Sequence, residues 1–145
     1  MRPLDVSIII GNYNTEKLLR KTLSSIYRNT KNINLEIIVI DDGSIDRSVE
    51  MVKLFFPKIK IKKNIRNLGY SKTYNIGTKL SKSKYVLHIS SDVYFTKDTS
   101  LDLILKFMDE NPKIGITGCK IMKHDGSLDL PCRHSLPTII NVLFQ

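Results

Sequence analysis

Residues 35–44, LEIIVIDDGS, join two different kinds of chain. Residues 35–40 are apolar except for Glu36, without the alternation of a half-exposed strand. Such a run is expected to form a strand buried on both faces, as in a parallel sheet covered by helices. Asp41, Asp42, Gly43 and Ser44 then supply two carboxylates, a glycine and a hydroxyl, the makings of a tight turn. Neighbouring side chains on an extended chain point to opposite sides. One carboxylate is therefore expected at a ligand rim and the other at the cap of a helix starting near Asp46.

The same unit recurs on either side. Residues 6–10, VSIII, predict a buried first strand, and GNYNT a turn. EKLLRKTLSSIYRNT places Leu18, Leu19, Thr22, Leu23 and Ile26 on one helical face, with Asn14 or Thr15 available to cap it. After DDGSID, RSVEMVKLFF spaces Val49, Val52, Phe55 and Phe56 as a helix that stops before Pro57. KIKIKK, residues 58–63, predicts a third strand with Ile59 and Ile61 inward and a solvated lysine face. A loop to Leu68 leads into a short helix carrying Tyr70, Thr73, Tyr74, Gly77 and Leu80, whose small residues allow close approach to a neighbour or ligand. YVLHISSDVYF, residues 85–95, starts as a fourth strand and breaks at Ser90, Ser91 and Asp92, with His88 expected to be a satisfied core histidine. A helix with Leu101, Ile104, Leu105 and Met108 inward, stopped by Asn111-Pro112, precedes a fifth strand over residues 113–122 and an Asp-Gly turn.

Repeated βα units with short turns imply an α/β fold: a mostly parallel sheet, right-handed crossovers and helices on both faces. Ligands of such sheets bind outside the carboxyl ends of the strands. Four turns deliver polar groups to that rim: Asn12, Tyr13 and Asn14; Asp41 to Ser44; Asn64, Arg66, Asn67 and Gly69; and Ser90, Ser91 and Asp92. Each set serves equally well as ordinary turn and cap chemistry, so their agreement carries the reading. No dinucleotide fingerprint, P-loop or nucleophilic triad pattern is present, and His124 and His134 belong to no motif. Asp92 with Ser90 and Ser91 offers hard oxygen ligands suited to Mg²⁺ or Mn²⁺.

At 145 residues the chain is expected to be one domain able to bury its own core. It contains no apolar run near the ~20 residues of a membrane span. MRPLDVSIII has no small-residue cleavage site after it and predicts a first strand, not a signal peptide. Cys119 and Cys132 lack CxxC spacing, which suggests free thiols in a reducing cytoplasm. A formal net charge of +9 favours anionic partners, although the lysines are spread over every segment. With no aromatic platform or known motif, nucleic acid is not an expected partner.

VSIIIGNYNTEKLLRKTLSSI, EIIVIDDGSIDRSVEMV, NLGYSKTYNIG and YVLHISSDVYF resemble, in order and spacing, the blocks of the family 2 inverting glycosyltransferases. The tail IGITGCKIMKHDGSLDLPCRHSLPT is similar to the rhamnosyltransferase-like branch. The resemblance implies a GT-A fold, a nucleotide-diphosphate sugar donor and a divalent cation. It assigns Asp41 to the base or ribose, Tyr13 and Asn14 to the nucleotide pocket, and Asn67 and Gly69 to the loop that approaches the donor. Gly43, Ser44 and Ser91 belong to the same nucleotide-sugar site, and Asp92 matches the last Asp of the metal motif, whose first Asp is here Ser90. The family's catalytic base, an Asp often in an ED pair, follows the DGSL block. No residue of this chain matches it, so residues 1–145 are expected to be the donor-binding, N-terminal part of a longer enzyme. The implied activity is sugar transfer to a glycan or polyprenyl-linked acceptor in polysaccharide biosynthesis. The implied location is the cytoplasm, with peripheral association at the inner face of the plasma membrane. The alternatives are a catalytically incomplete nucleotide-sugar-binding module that needs a partner or further C-terminal segment, and a generic doubly wound domain whose acidic turns only cap helices.

Overall fold

The structure is a computed structural model and describes residues 3–123 and 125–129. Cys132, His124 and His134 lie outside the described residues. The elements run β1 (Val6–Asn12), α1 (Glu16–Asn29), β2 (Leu35–Asp41), α2 (Ser48–Phe55), β3 (Lys60–Lys63), α3 (Tyr70–Leu80), β4 (Tyr85–Ser90) and α4 (Leu101–Glu110). The chain divides after Leu105 into two compact units.

In the first unit four parallel strands lie in the order β3-β2-β1-β4. The chain winds outward from β1 through β2 to β3, then returns to place β4 on the other side of β1. The side-chain period of two splits the strands' residues between two layers. Ile8, Ile10, Ile37, Val39 and Ile89 pack with Leu19, Leu23 and Ile26 of α1 and with Met51 and Val52 of α2. Ile9, Ile38 and Ile40 pack on the opposite face with Tyr74 of α3. Both faces of β1 and β2 are thus covered, so their apolar runs are nearly continuous, interrupted only by Ser7 and Glu36, which hydrogen-bond to each other at 2.6 Å. Burying each such Ile or Val contributes roughly 1.5–3 kcal/mol. Gly77 permits the close approach of α3: a Cβ there would lie 2.2 Å from Ile9 Cγ2.

Two expectations need correction. β4 is an edge strand, and only Ile89 is buried while Val86, His88 and Ser90 are exposed. His88 is therefore not a core histidine. Its Nε2 lies 2.9 Å from the Thr78 hydroxyl and its ring packs 5.0 Å from that of Tyr74. Partial burial lowers its pKa. The fifth strand expected over residues 113–122 does not form. Among the described residues of the second unit that stretch makes an isolated antiparallel bridge, Met122 to Leu128, closed by a turn with Gly126 at φ 82°. Gly115 and Gly118 weaken that stretch as a strand, and no neighbour among the described residues supplies a ladder.

Candidate functional site

In a sheet of this order the strand sequence reverses beside β1, which opens a crevice between the carboxyl ends of β1 and β4. A cleft of about 390 Å³ occupies that position. Gly11, Asn12 and Tyr13 line it from the end of β1, Asp42 from β2, Ser90 and Ser91 from β4, and Asn67, Gly69, Tyr70, Thr73 and Tyr74 from the loop and helix after β3.

The two aspartates divide their work differently from the expectation. Asp41 is 0% exposed and does not line the cleft. Its Oδ1 accepts from Asn12 Nδ2 at 2.8 Å and its Oδ2 from the Ser44 backbone N–H at 3.0 Å. Parallel register places Asn12 directly beside Asp41, so the pair ties β1 to β2 where both end. Asp42 is the carboxylate that reaches the cleft. Its Oδ1 accepts from Asn64 Nδ2 at 2.8 Å and the Leu68 N–H at 3.0 Å, and its Oδ2 accepts from the Gly69 N–H at 3.0 Å. Burial alone would raise its pKa, but these donors outweigh burial and hold the carboxyl below its ordinary value. Asp42 therefore stands as a fixed anion in the cleft wall and does not cap the next helix. That work falls to Asp46, which accepts from the Ser48 N–H at 3.0 Å and, across the turn, from the Glu16 N–H at 2.9 Å. One side chain thus serves the starts of α1 and α2, and Thr15 makes no capping hydrogen bond.

Three expected contacts do not line the cleft and instead tie together the turns around it. Ser44 is buried, and its hydroxyl accepts from Asn14 N–H at 2.9 Å and Asn12 Nδ2 at 3.2 Å. Asn14, at φ 53°, returns its side-chain oxygen to the Ile45 N–H at 2.8 Å. Gly43, at φ 83°, lies so close to the loop after β3 that a Cβ would meet the Arg66 carbonyl carbon at 2.7 Å. This packing positions the loop whose Leu68 and Gly69 amides hold Asp42.

The remaining expected residues reach the cleft or its edge. Tyr13, Asn67, Gly69 and Ser91 line it. The Ser91 hydroxyl is paired with that of Thr15 at 2.7 Å, and the Ser91 carbonyl accepts from Thr22 at 2.7 Å. Asp92 follows in the turn closed by Val93 N–H to Ser90 O. It is exposed and forms no hydrogen bond or ion pair among the described residues, so it neither caps a turn nor pairs with Lys97. No group of three or more His, Cys, Asp or Glu suited to a metal occurs among the described residues. An unengaged carboxylate beside two serines instead fits a hard cation that keeps its waters and draws further oxygens from a ligand.

Sequence reasoning missed Gly11, Tyr70 and Tyr74 as cleft residues. The tyrosines stand four apart on α3, a spacing that stacks side chains, and their rings lie 4.3 Å apart. Tyr74 donates to Ile89 O at 2.6 Å. Burial, followed by the proximity of Tyr70, pushes its phenol well above its ordinary pKa. Gly11 leaves room for that ring, since a Cβ there would sit 3.0 Å from Tyr74 Cε2. The finished cleft offers a fixed carboxylate, serine hydroxyls and the accessible rings of Tyr13 and Tyr70. These are acceptors for N–H or O–H groups and flat faces for a planar heterocycle.

The profile of Glycosyl transferase family 2 matches residues 7–139. The chain belongs to glycosyl transferase family 2. An uncharacterized glycosyltransferase of Haemophilus influenzae is 34% identical over 116 residues, 78% of this chain and 35% of that protein. The poly(ribitol-phosphate) beta-N-acetylglucosaminyltransferase TarS of Staphylococcus aureus is 29% identical over 109 residues, 72% of this chain and 19% of TarS. A crystal structure of TarS residues 1–349 in complex with UDP-GlcNAc superposes with a TM-score of 0.65 at 30% identity, covering 74% of this chain and 32% of that one. The mannosyltransferase PcManGT of Pyrobaculum calidifontis, solved with GDP-Man and Mn²⁺, gives 0.71 at 20% identity over 85% of this chain and 37% of its own, a likeness of fold. The fold of this family 2 chain is thus the GT-A type. The chain spans about a third or less of these relatives' length, except for the mannosyltransferase at 37%.

Proposed function

We propose that this family 2 domain binds a nucleotide-diphosphate sugar and presents it for inverting transfer to a glycan or polyprenyl-linked acceptor in polysaccharide biosynthesis. The observation that carries the reading is the cleft at the β1–β4 crevice, where Asp42 is held ionised by three donors beside the exposed rings of Tyr13 and Tyr70. Asp42 accepts from the base or ribose, and the two rings flank the heterocycle. Tyr13, Asn67, Gly69 and Ser91 touch the donor, while Asn14, Asp41, Gly43 and Ser44 hold the turns that carry those contacts. The UDP-GlcNAc complex of TarS supports a nucleotide sugar as the ligand class.

Asp92, with Ser90 or Ser91 directly or through water, is the residue that would hold Mg²⁺ or Mn²⁺ against the donor diphosphate. The cation would neutralise charge growing on the leaving diphosphate. A single carboxylate holds such an ion weakly without the nucleotide and better with it. Residues 1–145 constitute the donor-binding part, and transfer is proposed for the whole protein acting at the cytoplasmic face of the plasma membrane. A thermal-shift screen of UDP, GDP, dTDP and CMP, each with and without Mn²⁺, tests the reading. One nucleotide diphosphate is expected to raise Tm, more with Mn²⁺, with stabilisation of about 2.7 kcal/mol at 100 times Kd. No shift with any nucleotide would remove the assignment.

A further inference from the structure

The outer face of α1 carries Lys17, Arg20, Lys21 and Arg28, spaced to fall along one side of the helix, opposite the buried Leu19, Thr22, Leu23 and Ile26. All four are exposed, and none forms an ion pair among the described residues. α2 runs beside α1 and adds Lys53, so the two helices carry five cations against the two acids Glu16 and Glu50. The same two helices also expose apolar side chains. Leu54 is 72% exposed, and Tyr27 and Phe55 are each 50% exposed. The rings are held in place: Tyr27 stacks on Phe56 at 6.0 Å with planes 7° apart, and the Arg20 guanidinium lies 4.0 Å over Phe55.

Half-exposed aromatic side chains fixed by stacking, on helices whose cations form no ion pair among the described residues, match one kind of surface. It is an interface with an apolar layer beneath an anionic one. We propose that the α1–α2 face docks this domain on an anionic phospholipid surface, with Tyr27, Leu54 and Phe55 entering the headgroup layer and Lys17, Arg20, Lys21 and Arg28 meeting lipid phosphates. This rests on and deepens the membrane-partner part of the function proposed above. The proposed docking is through side chains of this face, and no helix among the described residues is long and apolar enough to cross a membrane. α1 and α2 cover one face of the sheet and α3 the other, so the docked face is not the one carrying Tyr70 and Tyr74.

The test is co-sedimentation of the 145-residue chain with phosphatidylcholine vesicles, with and without phosphatidylglycerol, in the absence of nucleotide. Binding is expected only with phosphatidylglycerol and is expected to fall as salt rises. Lys17→Ala and Lys21→Ala should each weaken partitioning about fivefold. Lys79→Ala, in the last turn of α3, and Lys82→Ala, just past its end, should leave it nearly unchanged. The chain contains no tryptophan, so Phe55→Trp or Tyr27→Trp provides a single reporter whose emission should shift to the blue on anionic vesicles. Equal losses from the two lysine pairs would reduce the effect to net charge and overturn the proposal. So would a tryptophan that stays in water, or a chain that binds a soluble polyanion such as heparin but ignores vesicles. Circular dichroism separates unfolded variants from non-binding ones, and the nucleotide thermal shift reports separately on the donor cleft.

Discussion

Asp41 and Asp42 are chemically identical neighbours, and their surroundings give them separate roles. Asp41→Ala would leave the Asn12 amide and the Ser44 N–H without their buried acceptor, and should cost about 1–3 kcal/mol of stability in a urea melt. Asp42→Asn keeps the shape of the side chain and part of its accepting capacity. It should stay folded yet bind the stabilising nucleotide several-fold more weakly in a calorimetric titration; unchanged affinity would place Asp42 outside the donor contact. Acid should act through the same carboxylate. The folded pKa of Asp42 lies below its ordinary value, as does that of Asp46 despite its burial, because hydrogen bonds to Ser48 and Glu16 favour the charged form. Their contribution to stability is therefore complete above the unfolded value of about 3.9 and is lost as pH falls through the folded values. Urea midpoints should drop between neutral pH and about pH 3, and drop less in Asp42→Asn. An Asp92→Asn variant that binds Mn²⁺ as well as its parent when nucleotide is present would exclude Asp92 from the metal site.

At the scale of elements, glycines decide how closely α3 and the loop before it approach the sheet. Gly77→Ala should gain about 1 kcal/mol of helix propensity. The new methyl would stand 2.2 Å from Ile9 Cγ2 and 3.3 Å from Ile40 Cγ1, and overpacking of that kind costs about 1–3 kcal/mol. The clash is expected to win, so the variant should unfold at lower urea. Gly69→Ala makes a useful contrast, because its added Cβ meets nothing within 4 Å and only φ 84° opposes it. Its penalty should be about 1–3 kcal/mol, the cost of holding a Cβ at φ 84° and ψ 165°, a backbone region that essentially only glycine occupies. Gly43→Ala combines both effects against the Arg66 backbone and should be the most disruptive of the three. A Gly43→Ala chain as stable as its parent would contradict the account of how the loop is positioned.

Across the whole molecule, the strand order β3-β2-β1-β4 brings together residues far apart in the chain: Tyr13, Asp42, Asn67 and Ser91 share one cleft. Ligand binding should therefore be felt in several segments at once. Hydrogen exchange at the amides of Leu68 and Gly69 is expected to slow when nucleotide is added, because both already donate to Asp42 and would close against the ligand. Exchange in β3, on the far side of β2, should change little. Protection confined to β3 would place the ligand elsewhere.

The α/β class was legible in LEIIVI and VSIII, since two faces covered by helices favour a nearly continuous apolar run, broken here only by Glu36 and by the buried Ser7 that donates to it, and the pattern is local. The rim was legible for a similar reason: each strand's carboxyl end is marked by turn residues next to the apolar run. Sequence could not tell Asp41 from Asp42. That choice depends on Asn12 lying in register beside Asp41 and on a loop 22 to 27 residues downstream donating to Asp42. Nor could it foresee that β4 is an edge or that residues 113–122 form no strand, because pairing partners are contributed by other parts of the chain. Tyr70 and Tyr74 were visible on their helix, but only the closeness of α3 to β1, permitted by Gly11 and Gly77, turns them into a wall of the cleft. The sequence by itself determined the periodic elements and the polar turns, which follow from interactions between near neighbours. Tertiary structure alone decided which side chains face the cleft, because that depends on contacts between segments many residues apart.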